Sequence, residues 1–234
     1  RGTLAIDSGF GHDEGDVVYL RAPPAPPRHL FGWVLGLMVL GQILAFLLPP
    51  SFRVVYAACF TMSVLYSVPP FRLKSVAGAD WVINMWGFGT FTPFAGWAST
   101  GRALDLSHAL VLLGFCPLFA ALYPLTQIYQ VEEDTRRGDR TLVIRLGIGR
   151  SLGVAIAATA LAFGLFGGSL LLLDRATGLR VVALAIALVA WLGVLVPWVR
   201  RHASMSAALH QRGMYLALGA WAVTDVVVAL AWGT

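Results

Sequence analysis

Residues 151–173 read SLGVAIAATALAFGLFGGSLLLL, twenty-three positions without a charged side chain. About 20 consecutive apolar residues cross the hydrocarbon core of a bilayer as a helix. Backbone N–H and C=O groups in lipid must be satisfied within the segment, so such a run is helical rather than irregular. Six more apolar segments surround it, and the seven are placed at 30–48, 52–68, 79–98, 105–126, 151–173, 180–199 and 213–232. The second is short and ends at Pro69-Pro70. The third is rich in Gly and Trp, which suits close helix packing and interfacial anchoring. The alternation of a membrane barrel is absent. The expected fold is therefore all-α, a polytopic transmembrane helix bundle of about seven helices. It forms a single domain over 1–234, in which 1–29 is a polar motif segment and connector and 30–232 is the bundle.

Composition points the same way. Of 234 residues, 58% are hydrophobic and 12% charged, against about 25% charged in soluble domains. The net charge of +5 is read as an orienting and lipid-meeting charge rather than a nucleic-acid footprint. Thirteen of the 17 Lys and Arg residues fall in connections 1–29, 69–78, 127–150 and 200–212, and four on the other side. That bias places the first set in the cytoplasm, with the protein in the cytoplasmic membrane. Cys59 and Cys116 lie in apolar runs without CxxC spacing and read as small buried hydrophobes. The first residues are polar and show no signal-peptide pattern. The run Pro23–Pro27 favours an extended connector.

Three polar stretches gather on the side given to the cytoplasm. Residues 123–142 read YPLTQIYQVEEDTRRGDRTL. One helix continuing out of the membrane would align Thr126, Gln130 and Asp134 at i, i+4 and i+8, with Gln127 and Glu133 close to that stripe. Oxygen-rich stripes suit Mg²⁺, which binds through a few carboxylates plus substrate phosphates. A solvated helix end would look the same in isolation. Residues 7–16, DSGFGHDEGD, are dense in acids but lack calcium-loop spacing. Residues 65–74, LYSVPPFRLK, bring Arg72 and Lys74 to the same side. They serve either as a positive-inside anchor or as a clamp for an anion such as diphosphate. Taken together, two acidic clusters and a basic pair describe a magnesium diphosphate site opening into an apolar bundle.

The order of these stretches resembles the UbiA superfamily of intramembrane prenyltransferases. The resemblance covers nearly the whole chain. Its most specific part is EEDTRRGDRTLVIRLG at 132–147, followed by YSVPPFRLK at 66–74. It implies Mg²⁺-dependent transfer of a prenyl group from a prenyl diphosphate to a hydrophobic acceptor, aromatic or lipid-like. It further implies metal ligation by Asp13, Glu14, Glu133 and Asp134, and diphosphate binding by Arg72, Lys74, Gln127 and Gln130. Catalytic roles fall to Tyr66, Arg72, Lys74 and Asp134, with the Tyr66 ring beside the reacting carbon.

The chain departs from the family pattern at Asp7 and Gly11, where Asn and Asp are usual, at Gln130, where Asp is common, and at Gln127, where Asn or Asp is common. The family fold has nine membrane helices. Against seven here, the expectation is that the first helix and most of the second are missing, residues 1–10 being a remnant. Two other classes stay in view. The departures at Gly11, Gln127 and Gln130 suit a non-catalytic, lipid-binding relative. Asp225, an acid within the last apolar segment, is the feature that would suit a transporter subunit.

Overall fold

The computed structural model describes residues 27–68, 70–173 and 178–233, and every regular element among them is helical. Helix α1 is Pro27–Leu44, closed by a 3₁₀ turn at Ala45–Leu47, and α2 is Pro50–Ser67. A 3₁₀ turn at Leu73–Ser75 leads into α3, Ala79–Trp86, and α4 is Thr92–Ser99. Then follow α5 Leu106–Ile128, α6 Val131–Arg137, α7 Leu142–Leu146, α8 Ile148–Leu171, α9 Gly178–Arg201 and α10 Ala207–Trp232.

Four of the described helices are long and apolar enough to cross a membrane: α5, α8, α9 with its trailing 3₁₀ turn, and α10. Their outer surface is apolar as well. Leu171, Leu179 and Leu230 are more than two-thirds exposed, as expected where lipid rather than water is the solvent. The chain is an integral, multi-pass membrane protein.

Lipid supplies no hydrophobic drive between helices, so the bundle is held by close packing and hydrogen bonds. The α5–α8 pair forms the centre, with Leu118, Leu125, Leu152 and Phe166 fully buried. Gly114 makes room for the Phe166 ring, because a Cβ there would lie 2.5 Å from Phe166 Cε1. Helix α9 adds Trp191, whose indole donates to Thr224 of α10 at 3.1 Å.

The apolar segment at 79–98 is not one regular helix. Between α3 and α4 the residues Gly87–Phe91 form a π-helical turn. Pro93 sits in the first turn of α4, where its ring removes an N–H and crowds the carbonyl four residues back. The wider turn accommodates this, and Thr92 Oγ1 donates to the Gly87 carbonyl at 2.9 Å.

At the far end of the bundle Asp105 caps α5. Its carboxylate accepts from the His108 backbone N–H at 2.9 Å and faces His108 Nδ1 at 2.6 Å. The first of these bonds leads in holding the Asp105 carboxyl below its usual value. A folded value below the unfolded one contributes stability above the unfolded carboxylate range, lost as pH falls through the folded value. Asp105→Ala should therefore cost about 1 kcal/mol of stability at neutral pH. Thermal unfolding in detergent should show that difference shrinking as the pH drops below about 4.

Candidate functional site

The near end of the bundle is where α2, α5 and α9 finish and α3, α8 and α10 begin. Antiparallel neighbours bring the connections 68–78, 129–147 and 202–206 to this one end. Side chains tie the elements together here. Tyr66, in the last turn of α2, lies with its hydroxyl 3.2 Å from that of Tyr123 on α5. Trp81 of α3 donates its indole N–H to the Ala120 carbonyl of α5 at 2.9 Å.

Beneath them sits Asp80, fully buried in the first turn of α3. Its Oδ1 accepts the Gly78 backbone N–H at 2.9 Å, and its Oδ2 accepts Nε2 of Gln127 at 2.8 Å. The backbone N–H groups of Trp81 and Leu142 also face this carboxylate. One acid thus holds the start of α3, the end of α5 and the start of α7. Asn84, a turn further along α3, donates to the Asp80 carbonyl at 2.7 Å.

Oδ2 of Asp80 accepts from the amide nitrogen, so Asp80 sets which way the Gln127 amide points. The nitrogen is turned to Asp80 and the oxygen away. That oxygen, Oε1, is buried and has no hydrogen-bond partner among the described residues. A buried orphan acceptor is costly unless something fills it. The Gln130 amide donates to the Tyr129 hydroxyl at 2.9 Å.

The continuous stripe through Thr126, Gln130 and Asp134 does not form. Helix α5 ends at Ile128, and Tyr129 and Gln130 interrupt it before α6 begins at Val131. The Gln130 N–H bonds back to the Gln127 carbonyl at 3.1 Å, a tighter turn than the α-helix makes. Thr126 turns its hydroxyl to the Tyr123 carbonyl at 2.7 Å. Glu132, Glu133 and Asp134 thereby fall in the first turn of α6, where acidic side chains suit the helix dipole. Asp134 is buried and Glu133 half-buried. Gly138, at φ 74°, ends α6 and sends the chain back toward α7.

Arg72 is an exposed residue in a left-handed conformation, φ 36° and ψ 54°. Such backbone costs about 1–3 kcal/mol and is concentrated at functional sites. It reverses the chain between Pro70 and the 3₁₀ turn that carries half-buried Lys74. Asp13 and Glu14 lie outside the described residues.

No group of three or more His, Cys, Asp or Glu is assembled among the described residues. What this end offers is the carboxylates of Glu133 and Asp134 and the unpartnered oxygen of Gln127. All are hard oxygen donors. The set fits Mg²⁺, which relies on one or two carboxylates and on substrate phosphates.

From the tyrosine pair an aromatic row descends into the bundle. Tyr123 stacks on Phe119 at 6.3 Å, and Phe119 stacks on Phe88 at 5.4 Å and meets Trp221 edge-on at 5.7 Å. Asp225, one turn beyond Trp221, is exposed on α10 and hydrogen-bonds the Trp221 side chain. Sequence reasoning assigned no role to Asp80 or Tyr123. The available signals were an acid just inside an apolar segment and a tyrosine one helical turn before Gln127.

Comparison with known proteins bears on this arrangement. Residues 23–232 match the model of the UbiA prenyltransferase family. No curated protein matches the chain in sequence. Two solved structures of a UbiA homolog from Archaeoglobus fulgidus are similar to it, one bound to Cd²⁺ and one to DMAPP and Mg²⁺. Each superposes with a TM-score of 0.61 at 15% identity over 88% of this chain. The superpositions cover 74% and 70% of the homolog. At that identity the likeness speaks for the fold.

Proposed function

The chain belongs to the UbiA prenyltransferase family, and from that premise we propose that it is a Mg²⁺-dependent intramembrane prenyltransferase. It moves a prenyl group from a prenyl diphosphate to an aromatic or lipid-like acceptor. The observation that carries this reading is the convergence at one end of the bundle. The basic turn with Arg72 and Lys74 and the acidic turn of α6 are joined through Tyr66–Tyr123 and Asp80–Gln127.

Glu133, Asp134 and the Gln127 oxygen would hold the metal, together with Asp13 and Glu14 from the leading segment. Bound there, Mg²⁺ would neutralise charge on the departing diphosphate. Arg72 and Lys74 take phosphate oxygens, Arg72 as a two-pronged donor. The prenyl tail lies along Phe119, Phe88 and Trp221, where apolar surface costs it nothing. Loss of diphosphate leaves an allylic cation, which the Tyr66 ring face steadies until a nucleophilic carbon or oxygen of the acceptor captures it and gives up its proton to the released diphosphate. Exclusion of water by the apolar row protects that cation.

The finer topology follows the same reading. The pass at 79–99, α1 and α2 join the four long helices to make seven crossings of one domain. The motif connections face the cytoplasm, in the cytoplasmic membrane.

Incubating the protein in detergent with labelled prenyl diphosphates, acceptor candidates and either Mg²⁺ or EDTA tests the proposal. Prenylated product and diphosphate release that need Mg²⁺ support it. Tight binding without release would instead support the non-catalytic lipid-binding reading, which amides rather than acids at Gln127 and Gln130 favour. Ion flux in liposomes would support a transporter. Tyr66→Phe keeps the ring and should cost little in rate. Tyr66→Ala should lose about 30-fold in kcat, the worth of a desolvated cation–ring contact. Equal losses in the two variants would remove the ring from the mechanism.

A further inference from the structure

We propose that Asp80 is a positioning residue, holding the Gln127 amide so that its carbonyl oxygen serves the metal–diphosphate site. The inference rests on the prenyltransferase reading above. Three observations support it. Asp80 is fully buried and its Oδ2 takes the Gln127 nitrogen at 2.8 Å. The Gln127 side chain is 5% exposed, and its Oε1 finds no partner among the described residues. Gln127 lies at the end of α5, one short turn before the acids of α6.

A free amide can present either its oxygen or its nitrogen, which differ little in shape. Against a cation or a cation-bound phosphate only one of these is useful. The carboxylate behind Gln127 rejects the wrong orientation, because two oxygens would then face each other at hydrogen-bond distance. The hydrogen bond accepted from Nε2 also polarises the amide and makes its oxygen a better donor to a cation. Outer partners of metal ligands commonly act in this way. The arrangement at position 127 is an amide backed by a carboxylate.

The alternative is that Asp80 only anchors the start of α3 through Gly78. Exchange of the two side-chain types separates these roles. Asp80→Asn allows the amide pair to flip, since an asparagine at that position can accept from or donate to Gln127. Mg²⁺-dependent binding of a non-hydrolysable prenyl diphosphate analogue, measured by calorimetry in detergent, should weaken about 10–100-fold. Gln127→Glu alone sets two carboxylates against each other and should lower thermal stability in EDTA, with Mg²⁺ restoring part of it. The double variant Asp80→Asn with Gln127→Glu restores one carboxylate and one amide, now with the carboxylate facing the metal. It should recover analogue affinity to within a few-fold of the parent, with normal stability in EDTA.

Recovery in the double variant supports the positioning role. Analogue binding unchanged by Asp80→Asn overturns it and leaves the prenyltransferase reading standing. The same holds if the double variant binds no better than Asp80→Asn while unfolding at the parental temperature. A parent protein that binds no analogue in Mg²⁺ overturns both. If Asp80→Asn fails to fold, the double variant decides: a folded, binding double variant supports pairing, and an unfolded one assigns Asp80 to structure and overturns the proposal.

Discussion

Asp134→Ala is expected to abolish Mg²⁺-dependent diphosphate release while leaving the protein folded. Asp134 is buried in the first turn of α6, and its side chain is the most enclosed of the three acids in that turn. On the proposed reading, removing it deletes a metal ligand from a set with few carboxylates to spare, since Gln127 and Gln130 bring none. Loss of one preorganised charge-stabilising group costs about 10²–10³-fold in kcat, and here the loss should reach the upper end. Alanine keeps the backbone bonds that shape the chain at this position. The Asp134 carbonyl accepts the Asp139 N–H at 3.0 Å, closing the turn at Gly138. Release of labelled diphosphate, with thermal unfolding as the check on integrity, tests this. Activity within tenfold of the parent would place the metal elsewhere.

Gly89→Ala is expected to destabilise the bundle more than any other single-methyl addition along α3, the π turn and α4. A Cβ at Gly89 would sit 2.7 Å from the Phe115 carbonyl oxygen, 2.9 Å from Cys116 Cα and 2.9 Å from Phe119 Cβ. Two of those atoms are backbone, so no side chain can swing aside. The π turn must move off α5, and overpacking of this kind costs about 1–3 kcal/mol. Small residues at such crossings are what lets membrane helices approach. Gly96→Ala is the control, because nothing lies within 4 Å of its Cβ position. Unfolding temperatures in the same detergent should fall clearly for Gly89→Ala and stay level for Gly96→Ala. Because Phe88 and Phe119 flank the displaced turn, Gly89→Ala should also raise KM for long prenyl diphosphates more than for short ones. Equal unfolding temperatures for the two variants would show that α5 and the π turn are not in close contact.

Much of the fold was legible from local signals. Apolar runs longer than a bilayer core predict helices wherever they occur; helices cover the expected segments among the described residues, and four of them are long and apolar enough to cross a membrane. The breaks were less legible. Pro93 announces a disturbance near the middle of the third segment, but whether the helix kinks, breaks or widens depends on the room that α5 leaves. Likewise the expected stripe from Thr126 to Asp134 assumed an uninterrupted helix, and no glycine or proline between Gln127 and Val131 argues otherwise. The turn at Tyr129–Gln130 is closed by bonds that compete with the regular ladder.

Part of the candidate site was legible through chemistry alone. Arg72, Lys74, Glu133 and Asp134 stand out as charges beside apolar runs, and the structure brings their connections to one end. Asp80 did not stand out, since a lone acid at a helix start is usually a cap. Its meaning comes from Gln127, 47 residues away, and from the orphaned oxygen on the far side of that amide.

The sequence by itself determined that this chain lives in a membrane, is helical and carries most of its charged groups in one set of connections, because solvent choice depends on composition and on runs of neighbours. Only the tertiary structure decided which polar atoms pair and which are left open. Hydrogen bonds between side chains on different helices depend on small differences in separation, and those are set by how small residues let the helices approach.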